Sequence, residues 1–285
     1  MASPSWTNNE LKRLGVYLRD GVTKGSFPSY DKVRLHYGLL AVDVQERIKA
    51  QEWKHLLGRQ RLEVTSRAKT LDTLREKLRR DRSTPLSNVQ DIAGVRFEAE
   101  MSLGEQRAVA ETIALLFEHD PEYAVHDLLS TPHSGYRALH VWLRLPERVE
   151  VQVRTQLQGA WANLYEEAGD LFGRGIRYGE PPARATDQLK VEHLKQLSLN
   201  EIASMERDHD VLYRMADEFQ QQLRRYQNEY PADWAARMSD PHIQALMQDF
   251  DRRKTELYQV EGDLHRKIQR LTRELTYNET QEGMA

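Results

Sequence analysis

The last third of the chain carries a hydrophobic pattern that leaves little choice about its secondary structure. Apolar residues recur in steps of three and four along 202–226 and again along 243–275, and Pro231 and Pro241 flank the break between them. This spacing gathers the apolar side chains into one narrow seam along a helix. The pattern predicts two long antiparallel helices within 186–285. We expect them to pack on the rest of the chain or on a second copy, forming a homo-oligomer, and a dedicated partner-binding arm is the alternative.

The preceding segments alternate between helical and strand patterns. Their periodicity predicts helices at 7–19, 30–57, 70–81, 104–118 and 156–171, and strands at 92–98, 123–129, 136–145 and 149–154. Asp31 is the predicted cap of the second helix. Strands interleaved with helices predict an α+β fold, in which helices flank a sheet. The expected domains are N-terminal helices at 1–60, a core at 61–180 and the helical pair at 186–285.

Composition limits the chemistry that is open to this chain. The chain has no cysteine, which excludes disulfides, zinc–thiolate sites and thiol nucleophiles. Its net charge is −3 at pH 7, so any contact with nucleic acid must come from a local basic patch. The sequence shows neither a signal-peptide pattern nor the roughly 20 consecutive apolar residues of a membrane span. A cytoplasmic location is therefore expected.

Four polar clusters stand out, and the first is basic. Lys69, directly before the predicted helix at 70–81, shares the helical spacing of Lys77 and Arg80, and Arg67 precedes it. A ridge of fixed cations suits a triphosphate because it neutralises several oxygens along one line. Taken alone, such a face is more often simply solvated.

The second cluster begins with a carboxylate at the start of an apolar strand. Asp91 is followed by Gly94 and Arg96. Carboxylates at a sheet edge commonly hold Mg²⁺ for nucleotide chemistry. An aspartate that merely caps a turn is the structural alternative.

The third cluster is the run from Ser134 to His140. Gly135 permits a tight turn that exposes Tyr136, and an exposed tyrosine ring is a natural platform for a nucleobase. A strand that begins at Tyr136 would place its side chain on the same face as that of His140. The alternative is a tyrosine buried in the core of an ordinary strand.

The fourth cluster is a strand with two faces of opposite character. Three valines between 149 and 153 point one way, whereas Glu150, Gln152 and Arg154 point the other. Three polar groups beside an all-valine face favour a polar site, and plain solvent exposure remains open as the alternative.

The order and spacing of these clusters resemble the synthetase domain of the RelA/SpoT family, the alarmone synthetases of the stringent response. The resemblance covers about residues 10–180. Four runs carry it, namely Arg67–Arg80, Asp91–Arg96, Gly135–His140 and Glu150–Thr155. Trp161-Ala162 and Ile176-Arg177-Tyr178-Gly179 are similar to the small-synthetase branch.

The resemblance implies a nucleotidyltransferase-like mixed sheet and a pyrophosphokinase activity. Members of the family move the β,γ-pyrophosphate of ATP to the ribose 3′-hydroxyl of GDP or GTP, which makes (p)ppGpp. By the same resemblance, Asp91 and Glu150 would be the catalytic residues and would bind Mg²⁺. The residues implied in ATP binding are Arg67, Lys69, Lys77, Arg80 and Arg96. Those implied in acceptor binding are Tyr136, His140, Gln152 and Arg154.

Two departures from the family pattern leave the acceptor open. The run Thr131–Ser134 replaces a Lys-Pro-Asn type lead, and Asn163 follows Trp161-Ala162 where many small synthetases have Glu-His. The alternative to a housekeeping synthetase is a toxin of the same fold, neutralised by an antitoxin. Such a toxin would make other alarmones such as (p)ppApp or pyrophosphorylate the 3′-CCA end of tRNA. The tRNA reaction would need an extra basic patch, for which 12–34 offers cations interleaved with acidic residues. A degenerate, non-enzymatic scaffold is the third reading, and the presence of Asp91 and Glu150 argues against it.

A second activity, removal of the pyrophosphate, is not expected. Long family members carry a metal-dependent hydrolase ahead of the synthetase, and the segment before residue 67 is too short for such a domain. The His-Asp pairs at 119–120 and 126–127 lie inside the synthetase region, and His209 falls on the helical seam.

Overall fold

The computed structural model describes residues 4–58 and 61–282, with side chains through residue 276. The chain folds into two compact units. The first comprises 1–101, 105–131 and 138–154, and the second comprises 102–104, 132–137 and 155–285. Each unit therefore draws on segments that are distant in the sequence.

A five-stranded sheet forms the centre of the first unit, within the part of the chain that the structure describes. Its strands are β1 Leu62–Ala68, β2 Ala93–Ala99, β3 Val125–Asp127, β4 Leu139–Leu145 and β5 Glu147–Thr155. They lie in the order β1-β2-β5-β4-β3, which puts β5 in the middle. Strand β1 pairs antiparallel with β2, and β4 pairs antiparallel with both β3 and β5.

Helices pack on the apolar face of this sheet. The helices up to residue 124 are α1 Asn8–Asp20, α2 Tyr30–Ala50, α3 Lys54–Leu57, α4 Leu71–Arg80, α5 Leu103–Leu116 and α6 Pro121–Ala124. Helix α2 packs on β1 and β2, and its Leu40 and Val44 share one buried core with Phe97 and Val151. The predicted α+β architecture is confirmed.

The two-faced strand is confirmed in β5. Val149, Val151 and Val153 are fully buried in the core, as the alternation predicts. Glu150 and Arg154 point to the other face and are nevertheless buried, with exposed fractions of 7% and 2%. The polar face of β5 is therefore no ordinary solvated surface.

The predicted helix at 30–57 is interrupted at 51–53, and the structure divides it into α2 and α3. Helix α2 ends at Ala50 because Gln51 is extended, with φ −69° and ψ 139°. The indole N–H of Trp53 donates to the carbonyl of Ile48 at 2.9 Å, and the ring packs edge-on against Phe97. Because this ring is buried, the chain leaves the axis of α2 after Ala50, and α3 begins as a separate helix at Lys54.

The predicted cap of α2 is also wrong. Ser29 is the capping residue, since its Oγ accepts from the backbone N–H of Lys32 at 3.4 Å. Asp31 lies in the first turn instead, where its charge is favourable to the helix dipole.

Two strand predictions need correction. Strand β1 was not predicted, because its inward positions are Leu62, Val64 and Ser66 and the third breaks the apolar alternation. The strand predicted at 136–145 begins only at Leu139, so Tyr136 does not share a strand face with His140. The turn before β4 is closed by the backbone N–H of Tyr136, which donates to the carbonyl of His133.

The second unit is helical. Its helices are α7 Gln156–Phe172, α8 Gln188–Gln196, α9 Ala203–Glu229, α10 Trp234–Met238 and α11 Pro241–Glu282. The predicted antiparallel pair corresponds to α9 and α11: the hydroxyls of Tyr213 and Tyr258 lie 3.1 Å apart, and Lys267 Nζ lies 2.7 Å from Glu201. Helix α11 also packs on α7, and α8 was not predicted. Among the helices that the structure describes, none combines the length and apolarity needed to cross a membrane.

A glycine turn seats the run 133–136 on the core of this unit. Gly135 has φ +85°, and a Cβ there would lie 2.9 Å from the ring of Trp161, so only glycine fits. The indole N–H of Trp161 donates to the carbonyl of Leu194 at 2.7 Å. Half-buried Tyr136 packs against the same core.

A buried ion pair lies where α7 begins. Arg137 and Glu206 are 2.6 Å apart, with exposed side-chain fractions of 5% and 3%. The hydroxyl of Thr155 and the side-chain amide of Gln158 also donate to Glu206, at 2.6 and 2.9 Å. Thr155 caps α7, so this one carboxylate on α9 satisfies a guanidinium, a helix cap and an amide together.

Removing this carboxylate should destabilise the protein severely. In Glu206→Ala, Arg137 stays buried without its partner, which costs about 3–5 kcal/mol. Urea unfolding measures the change. The matched control is Glu201→Ala, which breaks an exposed ion pair and should cost no more than about 1 kcal/mol. Equal losses in the two variants would contradict this account of the network.

Candidate active site

A pocket opens on the polar face of the sheet in the first unit. Its lining residues are Arg67, Lys69, Asp91, Gly94, Val95, Arg96, Glu150 and Gln152. All of them except Gly94 and Val95 belong to the predicted site. The structure therefore brings together residues from three of the four sequence clusters.

Strand pairing explains how the cations reach this face. Arg67 on β1 lies opposite Gly94 on β2, and Thr65 lies opposite Arg96 in the same ladder. Because residues paired across an antiparallel ladder share a face, Arg67 and Arg96 both face the pocket. Gly94 has no side chain, which leaves the space between Arg67 and β5 open.

Asp91 is held between two lysines. Lys69 Nζ lies 2.6 Å from one carboxylate oxygen, and Lys77 Nζ on α4 lies 2.8 Å from the other. The backbone N–H of Lys69 donates to the carbonyl of Ile92, which fixes the two segments side by side. Burial alone would raise the pKa of Asp91, but the two ammonium groups outweigh it and lower the pKa. The carboxylate is therefore ionised.

Glu150 lies on the central strand with polar partners on the same face. Nδ1 of His140 on β4 lies 3.3 Å from its Oε2, and the amide of Gln152 donates to its Oε1 at 2.8 Å. Burial would raise the pKa of Glu150, whereas His140, Gln152 and the charge of Lys77 lower it further than burial raises it. An ionised carboxylate with a low pKa is a better ligand for a cation than it is a proton acceptor.

Asp91 and Glu150 are the residues of this pocket that could hold a magnesium ion. Mg²⁺ in such sites uses one or two carboxylates, with phosphate oxygens and water completing the shell. Asp91 and Glu150 line the same pocket, both are ionised, and each influences the other electrostatically. No cluster of three or more His, Asp or Glu suited to a metal occurs in the described part of the chain.

Arg154 lies behind the pocket. Its guanidinium donates to the side-chain oxygen of Gln152, whose amide in turn donates to Glu150. It also lies 3.6 Å from Glu98. Arg154 therefore orients the pocket residues through Gln152.

Two predicted residues lie elsewhere. Arg80 is exposed in the last turn of α4 and is not among the residues that line the pocket. Tyr136 belongs to the second unit, where its ring packs against the core around Trp161.

Two aromatic residues on the same face of the sheet were missed. Trp142 lies directly opposite Glu150 in the β4–β5 ladder, and His126 on β3 lies opposite His140. The alternation of β4 was the available signal, because the buried residues Leu139, Val141 and Leu143 put Trp142 on the same face as His140.

Comparison with known proteins gives the following matches. Residues 66–169 match the family described as "Region found in RelA / SpoT proteins". The uncharacterized protein Mb1401 of Mycobacterium bovis is 50% identical over 196 residues, or 68% of this chain and 70% of that protein. The uncharacterized protein Rv1366 of Mycobacterium tuberculosis matches with the same identity and coverage.

Solved structures give more distant matches. The small alarmone synthetase 1 from Bacillus subtilis is 21% identical, with a TM-score of 0.47, and the match covers 67% of this chain and 98% of that one. The same synthetase bound to its product pppGpp is 19% identical, with a TM-score of 0.46, over 67% of this chain and 97% of that one.

Removing one lysine beside Asp91 should change how the protein responds to acid. The pKa of Asp91 is lower in the folded protein than in the unfolded chain, where it is about 4. The ionised carboxylate therefore contributes stability that is fully present above the unfolded pKa. This stability is lost as the pH falls through the pKa of the folded state. In Lys77→Met the folded pKa rises toward the unfolded one. The variant should therefore lose less stability than wild type between about pH 6 and pH 3.

Urea unfolding at the two pH values measures this difference. The control is Lys49→Met, which removes a lysine from a surface ion pair with Glu46 and should lose as much stability as wild type does. If Lys77→Met also loses as much as wild type, the assignment of the lowered pKa to the lysines is wrong.

Proposed function

We propose, because this chain belongs to the RelA/SpoT family, that it transfers the β,γ-pyrophosphate of ATP to the ribose 3′-hydroxyl of GDP or GTP and releases AMP as the leaving group. One observation carries the proposal. Cations that suit a triphosphate and two ionised carboxylates line the same pocket on the polar face of the sheet. Phosphoryl-type transfer depends on such positioning and charge, because the protein itself contributes little covalent chemistry.

The phosphates of ATP would bind on the β1–β2 side of the pocket. Arg67 and Arg96 face it from the two strands, and Lys69 and Lys77 reach Asp91. A triphosphate would give the lysines new anionic partners. Fixed cations stabilise the charge that spreads over the phosphate oxygens in the transition state. Arg80, exposed on α4, would contribute at most from the rim.

Asp91 and Glu150 would hold Mg²⁺ on this pocket. When bound, the ion would neutralise part of the charge of the phosphates. The protein's own groups would then bind and orient the substrates. Gln152 holds one oxygen of Glu150 in place, and Arg154 holds Gln152. Glu150 would also attract the proton of the attacking hydroxyl, although its low pKa makes metal binding the better-supported role.

The acceptor would bind through His140 and Gln152, with Arg154 as the positioning residue behind them. For Tyr136, which belongs to the second unit, the role that the resemblance implies is contact with the acceptor base. The reaction needs no covalent intermediate, so the lack of cysteine is no obstacle. Removal of the pyrophosphate is not part of the proposed activity.

An acceptor panel tests the proposal. The protein is incubated with ATP labelled in the γ-phosphate, Mg²⁺ and, separately, GDP, GTP, AMP or deacylated tRNA. Transfer of label to GDP or GTP supports the proposed reaction. Transfer to AMP or to the tRNA 3′ end would replace it with the toxin-type reaction, for which an antitoxin would be sought. No transfer to any acceptor would overturn the proposed function.

The carboxylates should be indispensable for transfer. Asp91→Asn and Glu150→Gln are nearly isosteric, and each removes a charge that is used in the transition state. We expect each to lower kcat at least about 100-fold. Asp72→Asn on exposed α4 surface is the control and should retain wild-type kcat. A tenth of wild-type turnover in either site variant would refute the assignment.

A further inference from the structure

A second polar pocket lies at the turn between β4 and β5. Its volume is about 260 Å³, and its polar lining residues are Asn8, Ser87, Asn88, Arg144, Glu147 and Arg148. All of them belong to the first unit, and none of them lines the candidate active site. The pocket is therefore a separate feature of this unit, and the proposed reaction does not use it.

Two arginines lie side by side in this pocket. Arg144 on β4 is the direct cross-strand partner of Arg148 on β5, and such partners have Cβ atoms about 5 Å apart. Like charges in directly opposite positions destabilise a sheet. The arginine pair is therefore unfavourable unless an anion neutralises it.

No carboxylate of the described residues neutralises this pair. The guanidinium of Arg148 donates to the neutral side-chain oxygen of Gln90 at 3.2 Å. That of Arg144 is exposed and has neither a hydrogen bond nor an ion pair with a described residue. Glu147 points to the opposite face of β5, because consecutive side chains of a strand alternate, and its carboxylate accepts from the hydroxyl of Tyr37 at 3.0 Å.

The charge and the donors of the pocket specify the kind of ligand. Two adjacent guanidinium groups match a doubly charged oxyanion, since each presents parallel N–H donors to two oxygens. A terminal phosphate carries about −1.5 to −2 charges at neutral pH. Each internal phosphate of a nucleic-acid backbone carries a single charge and is the poorer match. The hydroxyl of Ser87 and the amides of Asn8 and Asn88 add neutral hydrogen-bond donors.

We propose that this pocket binds a terminal phosphate group, separately from the candidate active site. Arg144 and Arg148 would hold its oxygens from the two strands. Bound phosphate would remove the repulsion between the two guanidinium groups and so stabilise the folded protein. The inference does not rest on the proposed function, because none of the pocket residues takes part in the proposed reaction.

Arginine side-chain NMR signals test the site directly. Inorganic phosphate is titrated into protein whose active site is saturated with a non-transferable ATP analogue and Mg²⁺, and the Nε–H signals are followed. The signals of Arg144 and Arg148 are assigned by their loss in Arg144→Gln and Arg148→Gln, and both should shift and saturate. Each substitution should weaken phosphate binding at least about tenfold. Arg75→Gln removes an arginine of a surface ion pair on α4 and should leave the affinity unchanged.

Two further ligands identify the source of the phosphate. Glycerol phosphate is a monoester with a terminal phosphate, whereas dimethyl phosphate is a singly charged diester. Binding of inorganic phosphate and glycerol phosphate alike supports a site for phosphorylated molecules, and binding of inorganic phosphate alone supports a site for the free ion. Dimethyl phosphate should bind at least about tenfold more weakly than inorganic phosphate.

Thermal unfolding separates a binding role from a structural one. In phosphate-free buffer, Arg144→Gln should keep or raise the Tm, because it removes a like-charge contact. Phosphate should then raise the Tm of wild type more than that of the variant. If Arg148→Gln does not fold because Gln90 loses its hydrogen bond, Arg148→Lys takes its place and should still weaken binding, since lysine lacks the two parallel donors.

Four results would each overturn the inference. They are unshifted signals of both arginines, unchanged phosphate affinity in Arg144→Gln, dimethyl phosphate bound as tightly as inorganic phosphate, and a lower Tm of Arg144→Gln in phosphate-free buffer. Transfer to GDP by a protein that shows any of these results would leave the proposed function intact. Phosphate binding at the arginine pair without transfer to any acceptor would overturn the proposed reaction alone.

Discussion

A buried carboxylate on the central strand sets the requirements for the polar face of the sheet. Glu150 is only 7% exposed, and an ionised group in that position is tolerated only when charges and hydrogen bonds replace its water. His140, Gln152 and the charge of Lys77 provide that replacement. The buried valines on the opposite face hold β5 in register, so the carboxylate cannot turn away from its neighbours. Packing of the valines on one face of β5 thus fixes the position of the charged groups on the other face.

The same charges serve stability and the proposed chemistry. Asp91 and its two lysines satisfy one another in the structure, and a triphosphate would compete for those lysines while a cation would compete for the carboxylate. A site built in this way carries its cations already placed, which is the condition for electrostatic catalysis without reorganisation. The hydrogen bonds from Arg154 to Gln152 and from Gln152 to Glu150 place the carboxylate in the same way.

In the second unit, too, a buried carboxylate is satisfied by an opposite charge and by hydrogen bonds. Glu206 lies next to the seam residue Met205 on α9, and it is buried because Arg137, Thr155 and Gln158 all bind it. Thr155 ends β5 and caps α7, and Arg137 follows the glycine turn that rests on Trp161. One acidic residue of the long helical pair is therefore part of the packing of two motif segments.

The sequence by itself determined the elements whose pattern is strong within one segment. The alternation of valines and polar residues predicted β5, and the three- and four-residue spacing of apolar residues predicted the α9–α11 pair. The polar clusters predicted six of the residues that line the pocket. Tertiary structure decided what depends on a partner. Ring burial at Trp53 ended α2, pairing with β2 made a strand of the weakly patterned β1, and strand register brought Trp142 opposite Glu150. Periodicity is a property of a single strand or helix, whereas register and burial are set by the neighbour against which it packs.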